Sequence, residues 1–515
     1  MMRTPFLSRR SGSLPLILAL LPLVAGAAEA PTPPPNAPAP ATAAAPAVAA
    51  PAAAAATPAA RPVTRLYNEL CASCHGVKWE GVRAPSMLDD VWAHASDDAG
   101  LTLSIRDGWP ANTMPPFGAL MSEAEIRAMV VYIRESRERA KEEKKPAPPS
   151  LNGLVVQSQL HPFKIEVVAE GLQTPWGIAF LPDGRLIVSE RPGRVRIIEP
   201  GKGIVETISG IPKVWSRQDG GLFDIAVHPD YARTGWIYLA FSEQGGADPR
   251  ASSTRVIRGR IRNGELVDQE TLFQAAPEFY WVSNTHYGLR FLFDRAGYLY
   301  YSIGDRGRPG ESQNLASPYG KVHRIRDDGR VPEDNPFVGQ ADAVKSVWSY
   351  GHRNPQGFAQ HPVTGEIWST EHGPRGGDEL NVIAGGRNYG WPVITYGMND
   401  NGTPITSITA KEGMEQPKTY WTPSIAVCGI EFYTGDKFPR WKNQLFVAAL
   451  VSRQLRRLEI DGNKITHQEI LLSEGSRVRD VVTGPDGFLY VALNSEFADS
   501  PGQIVRFVPV EPARP

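Results

Sequence analysis

Pro182-Asp183-Gly184-Arg185-Leu186-Ile187-Val188 sets a polar turn directly before a run of leucine and β-branched residues. Pro, Asp and Gly supply turn conformations that other residues resist, and the apolar run behind them reads as a buried strand. The pattern returns at Ala296-Gly297-Tyr298-Leu299-Tyr300-Tyr301, Thr364-Gly365-Glu366-Ile367-Trp368 and Pro485-Asp486-Gly487-Phe488-Leu489-Tyr490-Val491. Weaker copies are Thr234-Gly235-Trp236-Ile237-Tyr238 and Asn443-Gln444-Leu445-Phe446-Val447. Six copies spaced by roughly 40–80 residues describe one small sheet repeated radially. About four strands per copy account for residues 161–510, so the expected architecture is an all-β six-bladed β-propeller. A two-sheet sandwich is excluded by size, because such folds use roughly 100 residues. The uneven spacing also predicts long loops between blades, where binding and catalytic groups usually sit.

The rest of the chain differs in composition. Its 515 residues include 46 prolines, 49 glycines and three cysteines, with a formal charge of −1. A near-neutral balance argues against a nucleic-acid binder, and three cysteines are too few for a disulfide scaffold. Glycines without a three-residue period exclude collagen. Residues 1–30 read as a secretory signal: Arg3, Arg9 and Arg10 precede an apolar stretch from Leu14 to Val24, and Ala25-Gly26-Ala27 and Ala28-Glu29-Ala30 offer cleavage sites. The stretch is shorter than the roughly 20 residues a membrane helix needs. The expected product is therefore periplasmic, with no integral span after cleavage; an uncleaved signal would serve as an anchor. Residues 31–62 are Pro or Ala at all but six positions, which predicts a disordered tail.

Residues 63–145 read as a small all-α domain. Its last helix is marked by the capping box Ser122…Glu125 and by Ile126, Met129, Val130 and Ile133 at i, i+3, i+4 and i+7. The run that follows, beginning Arg134-Glu135-Ser136-Arg137, reads as a solvated helix end and not as a binding patch. Pro146, Pro148 and Pro149 open an expected linker over 146–160.

Cys71-Ala72-Ser73-Cys74-His75 falls in the helical segment. C-x-x-C-H is the attachment motif of c-type haem: two thiols add to the vinyl groups and the adjacent histidine meets the iron. A redox dithiol leaves His75 unexplained, and a zinc site lacks further ligands, since only His94 is near. Cys71 and Cys74 are therefore the expected covalent anchors of one haem c, with His75 as an axial ligand. The opposite axial position suits a methionine thioether. Met114 is the choice because Thr113-Met114-Pro115-Pro116 holds it on a stiff loop between the motif and the last helix. Met129 belongs to the apolar stripe, Met121 precedes the cap and Met87 follows Pro-Ser in a loop. Cys428, in Val427-Cys428-Gly429, reads as a buried small residue.

Polar motifs accompany the strand repeats: Gln218-Asp219-Gly220-Gly221, Asn284-Thr285-His286-Tyr287-Gly288, Gly304-Asp305-Arg306-Gly307 and Gly351-His352-Arg353-Asn354-Pro355-Gln356-Gly357. Further along come Glu371-His372-Gly373-Pro374-Arg375-Gly376-Gly377-Asp378-Glu379, Arg387-Asn388-Tyr389-Gly390-Trp391-Pro392 and Arg477-Val478-Arg479-Asp480. Loops from successive blades converge at one mouth, so these groups can line one pocket. It would hold a histidine base, guanidiniums that fork onto carboxylates, and a Gly-Pro turn with acids that suits calcium. A lone histidine is more often structural than catalytic, and His323, His352 and His361 are read so.

With these motifs in this order, the segment from about 165 to 508 resembles the soluble pyrroloquinoline-quinone (PQQ)-dependent glucose/sorbosone dehydrogenases, most of all their aldose sugar dehydrogenase branch. The helical segment resembles single-haem class I cytochrome c domains. The resemblance implies oxidation of an aldose at C1 to the lactone, with PQQ and calcium at the propeller mouth. It implies His286 as general base supported by Asp305, and Gln218, Arg353, Asn354, His372, Asp378, Trp421, Arg477 and Arg479 around PQQ. Gly373 and Pro374 would offer carbonyls to the cofactor calcium, and Glu379 and Tyr389 would bind a second calcium. Tyr420, Trp421 and the loop over 398–418 would contribute to the substrate wall. Electrons would pass from the reduced quinone to haem c, then to a soluble cytochrome or terminal oxidase.

Two departures qualify the match. Asp219 stands between Gln218 and the glycine pair, so either side chain can face the cofactor. A pocket lysine of the glucose dehydrogenase branch has no secure counterpart; Arg453 lies nearby. Two other classes remain open on the residues alone: a calcium-dependent propeller lactonase that needs no quinone, and an electron-transfer protein whose propeller only binds partners.

Overall fold

The computed structural model describes residues 60–88, 91–92, 94, 96–109, 111, 114–143, 150–473, 475–495 and 501–510. The expected signal over 1–30 and the tail up to residue 59 lie outside the described residues. Six antiparallel sheets make the propeller. Each of the six sequence repeats becomes the second strand of one blade: Leu186–Glu190, Trp236–Gln244, Leu299–Ile303, Ile367–Glu371, Leu445–Ala449 and Leu489–Asn494. In the first copy Gly184 takes φ +85°, a left-handed turn conformation open to glycine at little cost. These strands are buried almost throughout, because blades pack face to face, and this accounts for their nearly continuous apolar runs.

The innermost strands, Pro175–Phe180, Leu222–Val227, Phe291–Phe293, Pro355–Gln360, Val427–Phe432 and Arg477–Thr483, neighbour one another around the ring. Closure comes from the strand Phe163–Leu172, which pairs antiparallel with Gly502–Pro509, Ile165 opposite Phe507 and Val167 opposite Val505. The last blade is thus assembled from both ends of the propeller segment. Val155–Val156 adds a fifth strand to it, and Leu151 packs in its core, so the stretch expected to be linker up to 160 is already propeller from Leu151. Its five apolar residues, Leu151, Leu154, Val155, Val156 and Leu160, follow no regular period. Across the centre, buried Arg290 Nη1 lies 3.1 Å from Asp224 Oδ1 and 2.9 Å from Asp480 Oδ2, tying three blades with one guanidinium.

The smaller domain comprises helices Val63–Leu70, Ala72–His75, Asp98–Asp107 and Glu123–Glu142. Both bonds of the Ser122–Glu125 capping box are present, and Ile126, Met129, Val130 and Ile133 are buried in one core with Leu66, Tyr67 and Trp79. Arg61, at the end of the expected tail, is tied to that cap, its Nε 2.8 Å from Glu125 Oε1. The charged run after Ile133 differs from expectation. Arg134 pairs with Asp98 at 2.9 Å, Glu135 pairs with Arg375 of the propeller, and Arg137 is buried with its guanidinium 4.4 Å from the Trp92 ring. Exposure begins only at Glu138. A charged face that docks on opposite charge has the same composition as one that faces water. Among the described residues no helix is long and apolar enough to cross a membrane.

Candidate active site

In an antiparallel blade, the start of the innermost strand and the end of the second strand lie at the same edge. His286 leads into Phe291–Phe293, Arg353 and Asn354 lead into Pro355–Gln360, and Arg477 opens Arg477–Thr483. Asp305 and His372 follow the second strands Leu299–Ile303 and Ile367–Glu371. The topology therefore delivers these side chains from different blades to one mouth.

His286 Nδ1 lies 2.7 Å from Asp305 Oδ1, and its backbone sits at φ +51°, uncommon for a residue with a Cβ. Its neighbours hold that conformation. Gly304 passes so close that a Cβ there would be 2.3 Å from the His286 carbonyl oxygen, and the His286 N–H points to Asp219 Oδ2 at 3.4 Å. Asp305 Oδ1 also accepts from the Gly307 N–H at 2.8 Å, and Oδ2 accepts from Trp391 Nε1 at 2.8 Å. Burial alone would raise the Asp305 carboxyl. The bond and charge of His286, helped by Arg353, outweigh burial and hold it below the usual carboxylate range. An ionised Asp305 keeps the proton on Nδ1, so the lone pair is on Nε2. The ring is 20 % exposed, and Nε2 has no hydrogen-bond partner among the described residues.

Beside this pair lies a cluster of cations. Arg479 Nη1 donates to Gln356 Oε1 at 2.7 Å, its buried Nε has no partner among the described residues, and its guanidinium sits 5.4 Å from the Trp176 ring, which Arg290 also approaches at 4.4 Å. Burial brings its pKa down to about 10, and the like charges of Arg477, Arg290 and Arg191 push the same way. Asp480, its neighbour in sequence, is held by Arg290. His372 Nε2 is likewise buried without a partner among the described residues, and burial with the charges of Arg479 and Arg353 pushes the ring well below its usual value, so it is neutral. Arg353 Nη1 donates to the carbonyls of His372 at 3.2 Å and Gly373 at 2.6 Å. Buried guanidiniums with donors to spare fit an anion that carries several carboxylates, as PQQ does.

Other expected residues take supporting places. Asn354 Oδ1 accepts from the Gly288 N–H at 2.9 Å and so braces the His286 loop. Gln218 is exposed at φ +50°, and Asp219, not Gln218, reaches His286. Asp378 is fully engaged within the fold, accepting from Gly373 N, Ser424 Oγ and Ile425 N at 2.9, 2.8 and 2.9 Å. Trp421 packs in the blade core with Leu380 and Val427 and donates to Gln468 Oε1 at 3.2 Å, so the structure does not bring it to His286. Tyr420 stacks on Tyr396 at 3.9 Å. Trp391 and Trp176, to which sequence reasoning gave no role, both belong to the site; the only signal was the place of Trp391 within a polar motif.

The donor set for calcium is partly present. Gly373 must be glycine, because a Cβ would meet the Gly377 backbone at 2.3 Å, and its carbonyl has one lone pair beyond that used by Arg353. Glu379 is pushed up to about 8 by burial and by the charge of Glu371, with Asn381 Nδ2 at 3.0 Å opposing. Such a strained acid pair is what a hard divalent cation relieves. The Tyr389 phenol is committed to Val382 O at 2.6 Å and Ala384 N at 2.9 Å, which leaves its carbonyl for a metal. Among the described residues no three His, Cys, Asp or Glu gather as ligands, so a calcium here would rely on carbonyls and water.

In the smaller domain, Cys71, Met87 and Met114 pack against the core in which Met121 and Met129 are 3 % and 1 % exposed. Met114 is held by a backbone bridge to Trp109, with N–O distances of 2.8 and 3.2 Å. Among the described residues His75 Nδ1 is buried without a partner, and burial lowers the ring's pKa. Thiols, a neutral imidazole and a partly buried thioether around one core fit haem c.

Residues 172–506 match the family described as Glucose / Sorbosone dehydrogenase, and residues 58–133 match the one described as Cytochrome C oxidase, cbb3-type, subunit III. The chain belongs to the glucose/sorbosone dehydrogenase family: it is a PQQ-dependent sugar dehydrogenase, an oxidoreductase, that carries a cbb3-type cytochrome c domain before its propeller. It is similar to the aldose sugar dehydrogenase YliI of Escherichia coli, 40 % identical over 351 residues, which cover 67 % of this chain and 92 % of that one. The crystal structure of the soluble aldose sugar dehydrogenase from Escherichia coli in the apo form superposes with a TM-score of 0.64 at 39 % identity, covering 68 % of this chain and all of that one. The PQQ-bound aldose sugar dehydrogenase of Streptomyces coelicolor gives a TM-score of 0.55 at 28 % identity, covering 70 % of this chain and 100 % of that one.

Proposed function

We propose that this protein oxidises the C1 hydroxyl of an aldose to the lactone in the periplasm, with His286 as general base. The observation that carries the reading is the His286–Asp305 bond, which leaves Nε2 unpartnered at a mouth lined by buried cations. Nε2 takes the hydroxyl proton while the C1 hydrogen leaves with its electron pair. Asp305, itself fixed by Trp391 and Gly307, stabilises the imidazolium that forms. PQQ supplies a two-electron acceptor for the hydride, and haem c a one-electron carrier toward a soluble cytochrome or terminal oxidase. Arg353, Arg477 and Arg479 hold the cofactor's carboxylates and carbonyls, with His372 between them as a neutral partner. The Gly373 and Pro374 carbonyls would hold the cofactor calcium, and Glu379 with the Tyr389 carbonyl would hold a second ion. Cys71, Cys74, His75 and Met114 hold the haem. The arginine, apolar and alanine order of residues 1–30 supports export.

The test mixes protein loaded with PQQ and calcium with a panel of aldoses and alcohols and follows the haem absorbance. Sugar-dependent and PQQ-dependent reduction is expected. Lactone hydrolysis by PQQ-free protein, without any sugar oxidation in the loaded form, would replace the reading with a hydrolase.

A further inference from the structure

The turn from Gly373 to Asp378 makes two sets of contacts. Toward the mouth, its first carbonyl accepts from Arg353, and Asp378 anchors its far end through the Gly373 N–H. The cytochrome helix Glu123–Glu142 meets the same turn at Arg375 and Gly376. Arg375 Nε lies 3.2 Å from Glu135 Oε1, and a second bond joins Arg375 Nη2 to Glu135 Oε2. This fork is largely covered, at 24 % and 15 % exposure for the two side chains. A Cβ on Gly376 would come within 3.0 Å of Val131 Cγ1, so helix and turn already touch. Met398, paired with Arg375 by backbone bonds of 3.0 and 2.9 Å, is buried in one cluster with Val63, Ala128 and Val131 of the cytochrome domain. The Val63 N–H completes the seat by donating to the Gly402 carbonyl at 3.0 Å. Part of the loop over 398–418, which the sequence suggested as substrate wall, is therefore a docking surface.

We infer that the turn Gly373–Asp378 is the coupling bridge of the molecule: one short segment both shapes the cofactor cradle and seats the cytochrome helix, and the Arg375–Glu135 fork fixes their separation. The inference rests on the proposed function. Oxidation of one aldose to its lactone releases two electrons and two protons. The electrons leave singly, each reducing the haem iron from Fe(III) to Fe(II), and an external acceptor of the cytochrome class reoxidises the iron between them. Transfer between two fixed groups falls steeply with their separation, so a seat that sets the distance sets the rate. Arg375 and Glu135 are positioning residues in this scheme. Neither touches substrate or cofactor.

The test uses full-length protein loaded with PQQ and calcium, comparing wild type with E135R. Three quantities are read: sugar-driven haem reduction by stopped flow, sugar turnover with a small diffusible dye that takes electrons from the propeller directly, and hydrogen exchange of the peptide containing Val63. Reversal sets two guanidiniums against each other, so haem reduction is expected to slow about tenfold while dye turnover is unchanged and exchange at Val63 speeds up. The charge-swapped R375E/E135R protein should recover both haem reduction and protection. If the apolar patch keeps Val63 protected in E135R, the A128R/E135R protein opens it and the same comparison decides. Wild-type haem reduction in a protein whose Val63 exchange is fast overturns the inference. Absence of dye turnover in wild type would instead overturn the dehydrogenase reading on which it rests.

Discussion

In the helical domain Cys71, Cys74 and His75 occupy one short stretch of chain, whereas at the propeller mouth His286 and Asp305 come from one blade, Arg353 and Trp391 from the next, and Arg479 from the last. The first arrangement is specified by local spacing and survives changes elsewhere. The second exists only once the ring has closed, and each member depends on neighbours far away in sequence. A substitution at the mouth should therefore disturb chemistry without touching the haem, and one in the helical domain should do the reverse.

The largest effect tests that separation directly. H286A is expected to lower kcat with sugar roughly 10²–10⁴-fold, with PQQ binding and the haem spectrum unchanged, because a general base acts in the transition state. D305N should fall in the same direction through loss of the Nδ1 anchor; steady-state kinetics with dye measures both. Next, R479A removes a buried charged donor and should weaken PQQ binding roughly 10–100-fold, read by fluorescence titration. M114A belongs to the other region: it should abolish the absorbance band near the red edge of the oxidised spectrum and lower the haem potential, while dye turnover holds. Retention of the band would move the ligand to Met87, the other partly buried methionine on that core.

A smaller effect concerns pH. Glu379 has its pKa raised from 4.5 to about 8, so in calcium-free protein the folded state binds more protons than the unfolded state between those values. Stability of that form should fall as pH rises through the window, since ∂ΔG/∂pH follows protons bound unfolded minus folded. A calcium held by Glu379 would displace the proton, so its affinity should rise with pH up to about 8 and level off above it, measurable by titration calorimetry in buffers of different ionisation heat. The smallest effect is S122A, which removes one half of the capping box and should cost about 1 kcal/mol in the helical domain, seen by thermal unfolding.

Turn chemistry carried most of the fold into view, because each Gly- or Asp-led turn meets one buried strand, and all six copies occupy the same place in their blades. The closure between Ile165 and Phe507 was not visible, since nothing local marks a strand whose partner emerges some 340 residues later. His286 was legible as a chemical group, but its tie to Trp391 through Asp305 was not, because that hydrogen bond spans 86 residues. Glu135 was misread for a different reason. Its partner, Arg375, lies 240 residues on, and composition cannot tell a charge that meets water from one that meets a guanidinium. Trp421 sits beside Asp378 across a sheet pairing, close in register to the turn, yet its ring points into the core.

The two-ended last blade also orders the life of the polypeptide. The strand Phe163–Leu172 leaves the ribosome long before Gly502–Pro509 and has only the short strand Val155–Val156 to pair with until the final blade is made. The core that Cys71 packs against is built from residues of the small helical domain alone. Maturation of the carrier can therefore precede that of the ring, and a chain truncated anywhere before Gly502 would bear a finished cytochrome on a propeller that cannot lock.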